Sequence, residues 1–224
     1  MKENRINVDM LVAALVDGFN LYYNMNKKKY SKYKWLNFDR MFRKYLNKDD
    51  IPEIHYFTTI NYNDIVAYRY NKKKYSGKRE RHMTLIKAEE SKGVFVHYGY
   101  FRDTEFICRK CNHTNIIRKE KQTDVSMGAY LAYLAFSRNF DKFIILTADT
   151  DLISAVKLVK ENAREKKIDL LLPPGVKKSE ISKYCDKTFT LDEEVLKDSL
   201  FPLIIETKNN EKIVCPEEWR MFKD

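Results

Sequence analysis

Two short apolar runs that each end in aspartate constrain this chain more than any other feature. Leu11 to Val16 runs into Asp17-Gly18-Phe19-Asn20, and Phe143-Ile144-Ile145-Leu146 runs into Thr147-Ala148-Asp149-Thr150-Asp151. A short continuous apolar run bounded by turn residues reads as a strand covered on both faces. Helical patterns follow, so both strands belong in an open α/β sheet, whose chemistry sits at the strands' carboxyl ends. Asp149 and Asp151, two residues apart, repel each other unless a cation, a shared proton or solvent relieves them. With Asp17 they suggest a cage of acids for a hard metal ion.

The rest of the chain fits around these strands. Trp35, Phe38, Met41, Phe42, Tyr45 and Leu46 recur at helical spacing, with Asn37 as N-cap. Strands are expected at 54–60, 94–100, 168–172 and near Phe189, and helices up to Glu90, over 124–136 and 152–160, and around 179–184. This alternation predicts a three-layer α/β/α sandwich with a mostly parallel central sheet. Residues 1–200 are expected to form the domain, with a cysteine-bearing hairpin insertion near 101–121. Residues 201–224 are expected to form a tail packed on it. Met1 to Asp9 is polar and no apolar run approaches the roughly 20 residues of a membrane span, so the expectation is a soluble, cytoplasmic protein without membrane association.

Each acid also has a plainer reading. Asp124, after Thr123, opens a small-residue helix, where Thr123 can cap and Asp124 suits the helix dipole. Asp17-Gly18 can be only a tight turn, and Asp151 can serve as a cap. Asn20 either turns its amide back onto Asp17 or caps a helix. Convergence of Asp17, Asp124, Asp149 and Asp151 costs several kcal/mol without a neutralising divalent ion. Mg²⁺ or Mn²⁺ suits such oxygen ligands, and a metal-activated water then suits phosphodiester hydrolysis. His55, His82, His97 and His113 fall away from strand ends, so no histidine base is expected.

Net charge is +10, which favours an anionic partner such as nucleic acid. Lys27, Lys28 and Lys29 follow the first acid. The segment from Tyr68 to Arg81 mixes tyrosines with Lys72, Lys73, Lys74, Lys78, Arg79 and Arg81. With Lys121, these cations can pair with phosphates while the rings stack on unpaired bases of a single-stranded RNA. The alternative is a solvated charged surface. Cys108 and Cys111 make half of a zinc-ribbon pattern, which His113 with His97, Cys185 or a second subunit would have to complete. A redox pair or plain thiols are the alternatives. Cys185 and Cys215 read as buried small side chains.

The stretches Leu15-Val16-Asp17-Gly18-Phe19-Asn20, Glu120-Lys121-Gln122-Thr123-Asp124-Val125 and Leu146-Thr147-Ala148-Asp149-Thr150-Asp151-Leu152 occur in an order that resembles the NYN-domain (LabA-like) family of PIN-like ribonucleases. Leu172-Pro173-Pro174-Gly175 and Cys215-Pro216-Glu217-Glu218-Trp219 extend the resemblance over most of the chain. It implies a PIN-like Rossmannoid fold and a Mg²⁺- or Mn²⁺-dependent endoribonuclease. Asp17, Asp124, Asp149 and Asp151 would take metal or catalytic roles, with Asn20 and Thr147 as supporting polar groups. Two other readings stay open: a non-catalytic RNA-binding regulatory module, and a metal-dependent phosphatase or DNA nuclease. Asp17-Gly18-Phe19 lacks the second acid of a haloacid-type Asp-x-Asp motif, which counts against the phosphatase. A homodimer is also left open.

Overall fold

Six parallel strands form the middle layer of the computed structural model, which describes residues 10–48, 50–60 and 77–220. They are β1 (Leu11–Asp17), β2 (Ile51–Thr58), β3 (Phe95–Tyr98), β6 (Lys142–Leu146), β7 (Lys167–Leu172) and β8 (Lys187–Thr190), in the order β3-β2-β1-β6-β7-β8. The pairs β1–β2, β1–β6, β2–β3, β6–β7 and β7–β8 are all parallel. β4 (Tyr100–Ile107) and β5 (Thr114–Lys121) pair separately as an antiparallel hairpin, as do β9 (Ile204–Glu206) and β10 (Lys212–Val214).

The apolar character of β1 and β6 follows from their place in the middle. Val12 to Val16 and Phe143 to Leu146 are buried on both faces. One face packs Val12, Ala14, Val16, Ile144 and Leu146 against α1 (Gly18–Met25), α2 (Phe38–Arg43), α3 (Lys78–Glu90) and α6 (Glu193–Asp198). The other packs Ala13, Leu15, Phe143 and Ile145 against α4 (Thr123–Ser137) and α5 (Ile153–Asn162). The period-two alternation of strand side chains sorts them between these layers. The result is a three-layer α/β/α sandwich. Gly128 lets α4 approach α5 closely, since a Cβ there would lie 3.3 Å from the Ala155 Cβ.

The expected strand over 94–100 divides in two. β3 stops at Tyr98 and the chain leaves the sheet at Gly99, so Tyr100 already belongs to the hairpin. Only glycine fits there: an added Cβ would meet Thr123 Oγ1 at 2.5 Å and the Lys121 carbonyl oxygen at 2.7 Å. The pattern also gave no sign of α6, which Asp192 caps by accepting a hydrogen bond from the Val195 N–H at 2.9 Å. Asn37 does cap α2, accepting from the Arg40 N–H. Trp35 and Ala88 form a small separate core with Phe201, Ile205, Cys215 and Trp219 from the segment after β8. The Trp35 indole N–H donates to the Pro202 carbonyl at 2.9 Å. No described helix is long and apolar enough to cross a membrane.

Candidate active site

Strand order reverses between β1 and β6, and this switch point is where an open parallel sheet leaves a crevice at its carboxyl edge. Asp17 is the last residue of β1, and Thr147 and Asp149 follow β6. Asp124 reaches the same place from the first turn of α4. One carboxylate oxygen from each of Asp17, Asp124 and Asp149 lies within 4.8 Å of the others. None of the three is in an ion pair with Lys or Arg among the described residues.

Each acid is held by local chain geometry. Asp17 is 2% exposed and caps α1, with Oδ1 accepting from the Asn20 backbone N–H at 2.8 Å. Its Oδ2 accepts from the Thr147 hydroxyl, also at 2.8 Å. That hydroxyl in turn accepts from the Asp149 N–H at 3.0 Å, so one buried threonine ties together the ends of β1 and β6. Asp149 accepts from the Asp151 N–H at 2.9 Å and caps the 3-10 turn Thr150–Leu152 that leads into α5. Gly18 allows this tight exit from β1, because an added Cβ would lie 2.6 Å from the Phe57 carbonyl oxygen.

Thr123 does not cap α4. The cap position is Gln122, whose φ of +78° places it in the left-handed region, and its side chain makes no cap bond. A non-glycine residue there carries strain that surrounding contacts must hold. Glu120 supplies them: its carboxylate accepts from the Thr123 N–H at 3.1 Å, from the Thr123 hydroxyl, and from the Thr59 hydroxyl at 3.3 Å. Glu120 was assigned no role from sequence. Its position just before an acid-bearing helix start was the signal that could have found it.

The electrostatics match the crowding. Burial, opposed by the Asn20 and Thr147 hydrogen bonds and aided by Asp124 and Asp149, pushes Asp17 up to about 6. Burial also raises Asp124 to about 6, with Asp149, Glu120 and Asp151 adding like charge. Three converging carboxylates, two of them resisting ionisation, form the oxygen donor set that a hard divalent cation prefers.

The other expected site residues distribute unevenly. Asp151 is exposed and outside the three-acid cluster, although its charge reaches Asp124. Asn20 meets Asp17 through its backbone N–H, while its side chain accepts weakly from Asn24 at 3.5 Å. Lys27 donates to Asn24 at 2.7 Å, Lys29 pairs with Glu193 at 3.1 Å, and Lys28 is exposed. Lys121, exposed, ends β5 three residues before Asp124. Lys78, Arg79 and Arg81 start α3. Lys72, Lys73 and Lys74 lie outside the described residues.

Cys108 and Cys111 sit at the tip of the β4–β5 hairpin, where the N–H groups of Lys110 and Cys111 lower the Cys108 thiol. Among the described residues no third ligand joins them. His97 instead faces His55 at 3.0 Å, and burial pushes the Cys185 thiol up to about 12. Neither completes a zinc site.

The NYN domain family model matches residues 11–192. A solved structure, of a protein of unknown function from Vibrio parahaemolyticus, superposes with a TM-score of 0.52 at 16% identity, covering 90% of this chain and all of that one. That likeness concerns the fold alone. No curated protein matches the chain. The family match spans most of the sequence and includes all three clustered acids. The chain belongs to the NYN-domain family.

Proposed function

We propose that this NYN-domain protein is a metal-dependent endoribonuclease that hydrolyses phosphodiester bonds in single-stranded RNA. The observation that carries the reading is the gathering of Asp17, Asp124 and Asp149 within 4.8 Å, with no Lys or Arg paired to them among the described residues. Asp17, Asp124 and Asp149 would hold Mg²⁺ or Mn²⁺. A bound ion there supplies a water of lowered pKa and positive charge for the scissile phosphate.

The chain's own residues do the positioning. Thr147 and the Asn20 N–H fix both oxygens of Asp17, and Thr147 also fixes the Asp149 backbone. Glu120 and Gln122 set the start of α4 and so the place of Asp124. Asp151, at the exposed rim, adds negative charge without joining the cluster. Lys78, Arg79, Arg81 and Lys121 are the cations that would hold the RNA backbone near these acids, a sequence-independent grip that weakens with salt.

The test is cleavage of an end-labelled single-stranded RNA with Mg²⁺, Mn²⁺ or EDTA. Cutting within the chain is expected only with an ion, and only in protein that keeps Asp149. RNA binding without cleavage under every condition would favour the regulatory-module reading instead.

A further inference from the structure

The β4–β5 hairpin stands apart from the sandwich. Among the described residues its two strands pair only with each other, and β4 is exposed along its length except at Phe101. A two-stranded hairpin alone is marginally stable in water, so it gains from a staple or a cover. Its register sets Glu105 opposite Ile116 and Ile107 opposite Thr114, which puts Ile107 and Ile116 on one face. They are 59% and 66% exposed, so apolar surface lies open beside the tip.

The turn at that tip brings two sulfurs together. The Asn112 N–H donates to the Cys108 carbonyl at 2.8 Å, and the Cys108 N–H donates to the His113 carbonyl at 2.9 Å. Asn112 closes the turn at a φ of 53°, a left-handed conformation that asparagine tolerates. Within it, the N–H groups of Lys110 and Cys111 and the Cys111 thiol hydrogen-bond the Cys108 sulfur, which favours its thiolate. Two cysteines at Cys-x-x-Cys spacing on such a turn make half of a tetrahedral thiolate site. The chain adds nothing to it: no described His, Cys, Asp or Glu joins the pair as a third ligand.

We propose that two copies of this protein join their hairpin tips around one zinc ion, with Cys108 and Cys111 of each copy as its ligands. A two-fold axis through the metal turns one half-site into a closed tetrahedral site without any other component. Zinc suits these donors, because thiolates select it over Mg²⁺. Four thiolates outweigh the charge of the ion, and Arg109 and Lys110, between the cysteines in each copy, offset the surplus. Without the metal the same four cations repel, so the copies stay apart until zinc arrives. Ile107 and Ile116 then gain a cover from the facing hairpin. The proposal is independent of the nuclease reading, since it uses none of Asp17, Asp124 and Asp149.

The experiment titrates zinc into full-length, untagged protein under reducing conditions, with excess Mg²⁺ present to occupy the carboxylates. Bound metal is measured by elemental analysis and molecular mass by light scattering. Zinc should saturate at half an equivalent per chain while the mass rises from that of the monomer to twice that value. Cobalt in place of zinc should show thiolate charge transfer and the absorption of a tetrahedral centre, which carboxylates cannot give. Cys108→Ser and Cys111→Ser should each lose the charge-transfer band and the dimer, while Cys185→Ser keeps both. Melting curves identify any variant that fails to fold, and the wild-type stoichiometry and mass decide the matter if one does. The proposal is wrong if zinc saturates at one per chain on a monomer, if no thiolate band forms, or if the dimer forms without metal. RNA cleavage is not a readout here, so a failure of the nuclease reading leaves this result untouched.

Discussion

Asp17 in β1 and Asp169 in β7 are each 2% exposed and lie two strands apart in one sheet, yet the protein treats them oppositely. Asp169 is paired with the Lys142 ammonium at 2.8 Å. Asp17 has two hydrogen-bond donors among the described residues and two more carboxylates beside it, and its pKa rises to about 6. A buried acid with its own lysine is finished structure. A buried acid crowded by other acids can be relieved by a cation from outside. The difference separates an aspartate paired within the fold from one grouped with other carboxylates.

The largest expected effect separates the two in activity. Asp149→Asn should lower RNA cleavage about a hundredfold or more, the scale of losing one preorganised electrostatic group, with binding to RNA retained. Asp169→Asn should leave cleavage per folded molecule unchanged, as a labelled-RNA time course of both variants will show.

In stability the order is reversed. Asp169→Asn strands Lys142, whose side chain is 14% exposed, and should cost about 3 kcal/mol in urea unfolding. Asp17→Asn should instead stabilise the metal-free protein at pH 7 by on the order of 2 kcal/mol, because a group raised from 3.8 to about 6 is destabilising when ionised. The sign follows from proton binding. Between about pH 4 and 6 the folded state holds more protons at Asp17 than the unfolded chain, so stability falls as pH rises through that window. Asp124 acts in the same direction but, being half-exposed, more weakly. Urea unfolding of both metal-free proteins, compared at pH 4.5 and 7, cancels His82 and His97, whose lowered pKa values act the opposite way. The wild type should lose stability relative to Asp17→Asn as pH rises. A steeper decline in the variant would contradict the assignment.

The strands and acids were legible in the sequence because both are local signals. The apolar runs Leu11 to Val16 and Phe143 to Leu146 carry their own punctuation, and Asp17, Asp124 and Asp149 sit directly at element boundaries. What escaped depends on contacts between distant segments. Thr147 was expected as a supporting polar group, but its bridge between two strand ends runs through a hydroxyl that no pattern aims. Glu120 replaces Thr123 in stabilising the start of α4, because the backbone turns left-handed at Gln122. The expected third strand broke at Gly99 because β5 and α4 press against it. Asp151 looked equivalent to Asp149 in sequence, yet the 3-10 turn carries it outward. A cavity beside Gly18 draws on residues as far along the chain as Trp219, too dispersed to be seen in the sequence.

Smaller effects probe the links. Thr147→Val removes a donor from buried Asp17 and an acceptor from the Asp149 N–H. It should cost about 1 kcal/mol and weaken Mn²⁺ binding about tenfold, measurable by calorimetry. Asp151→Asn should do least, keeping most of the Mn²⁺ affinity, since its carboxylate stands outside the cluster.

The most direct test is the melting temperature of the wild-type protein with saturating Mn²⁺ and with EDTA, beside Asp149→Asn. At a concentration of 100 times Kd, binding adds about 2.7 kcal/mol, or roughly 5–10 °C for a domain of this size. The account predicts that rise in the wild type and its near disappearance in the variant. An equal rise in both, or none in the wild type, would mean that Asp17, Asp124 and Asp149 share no ion.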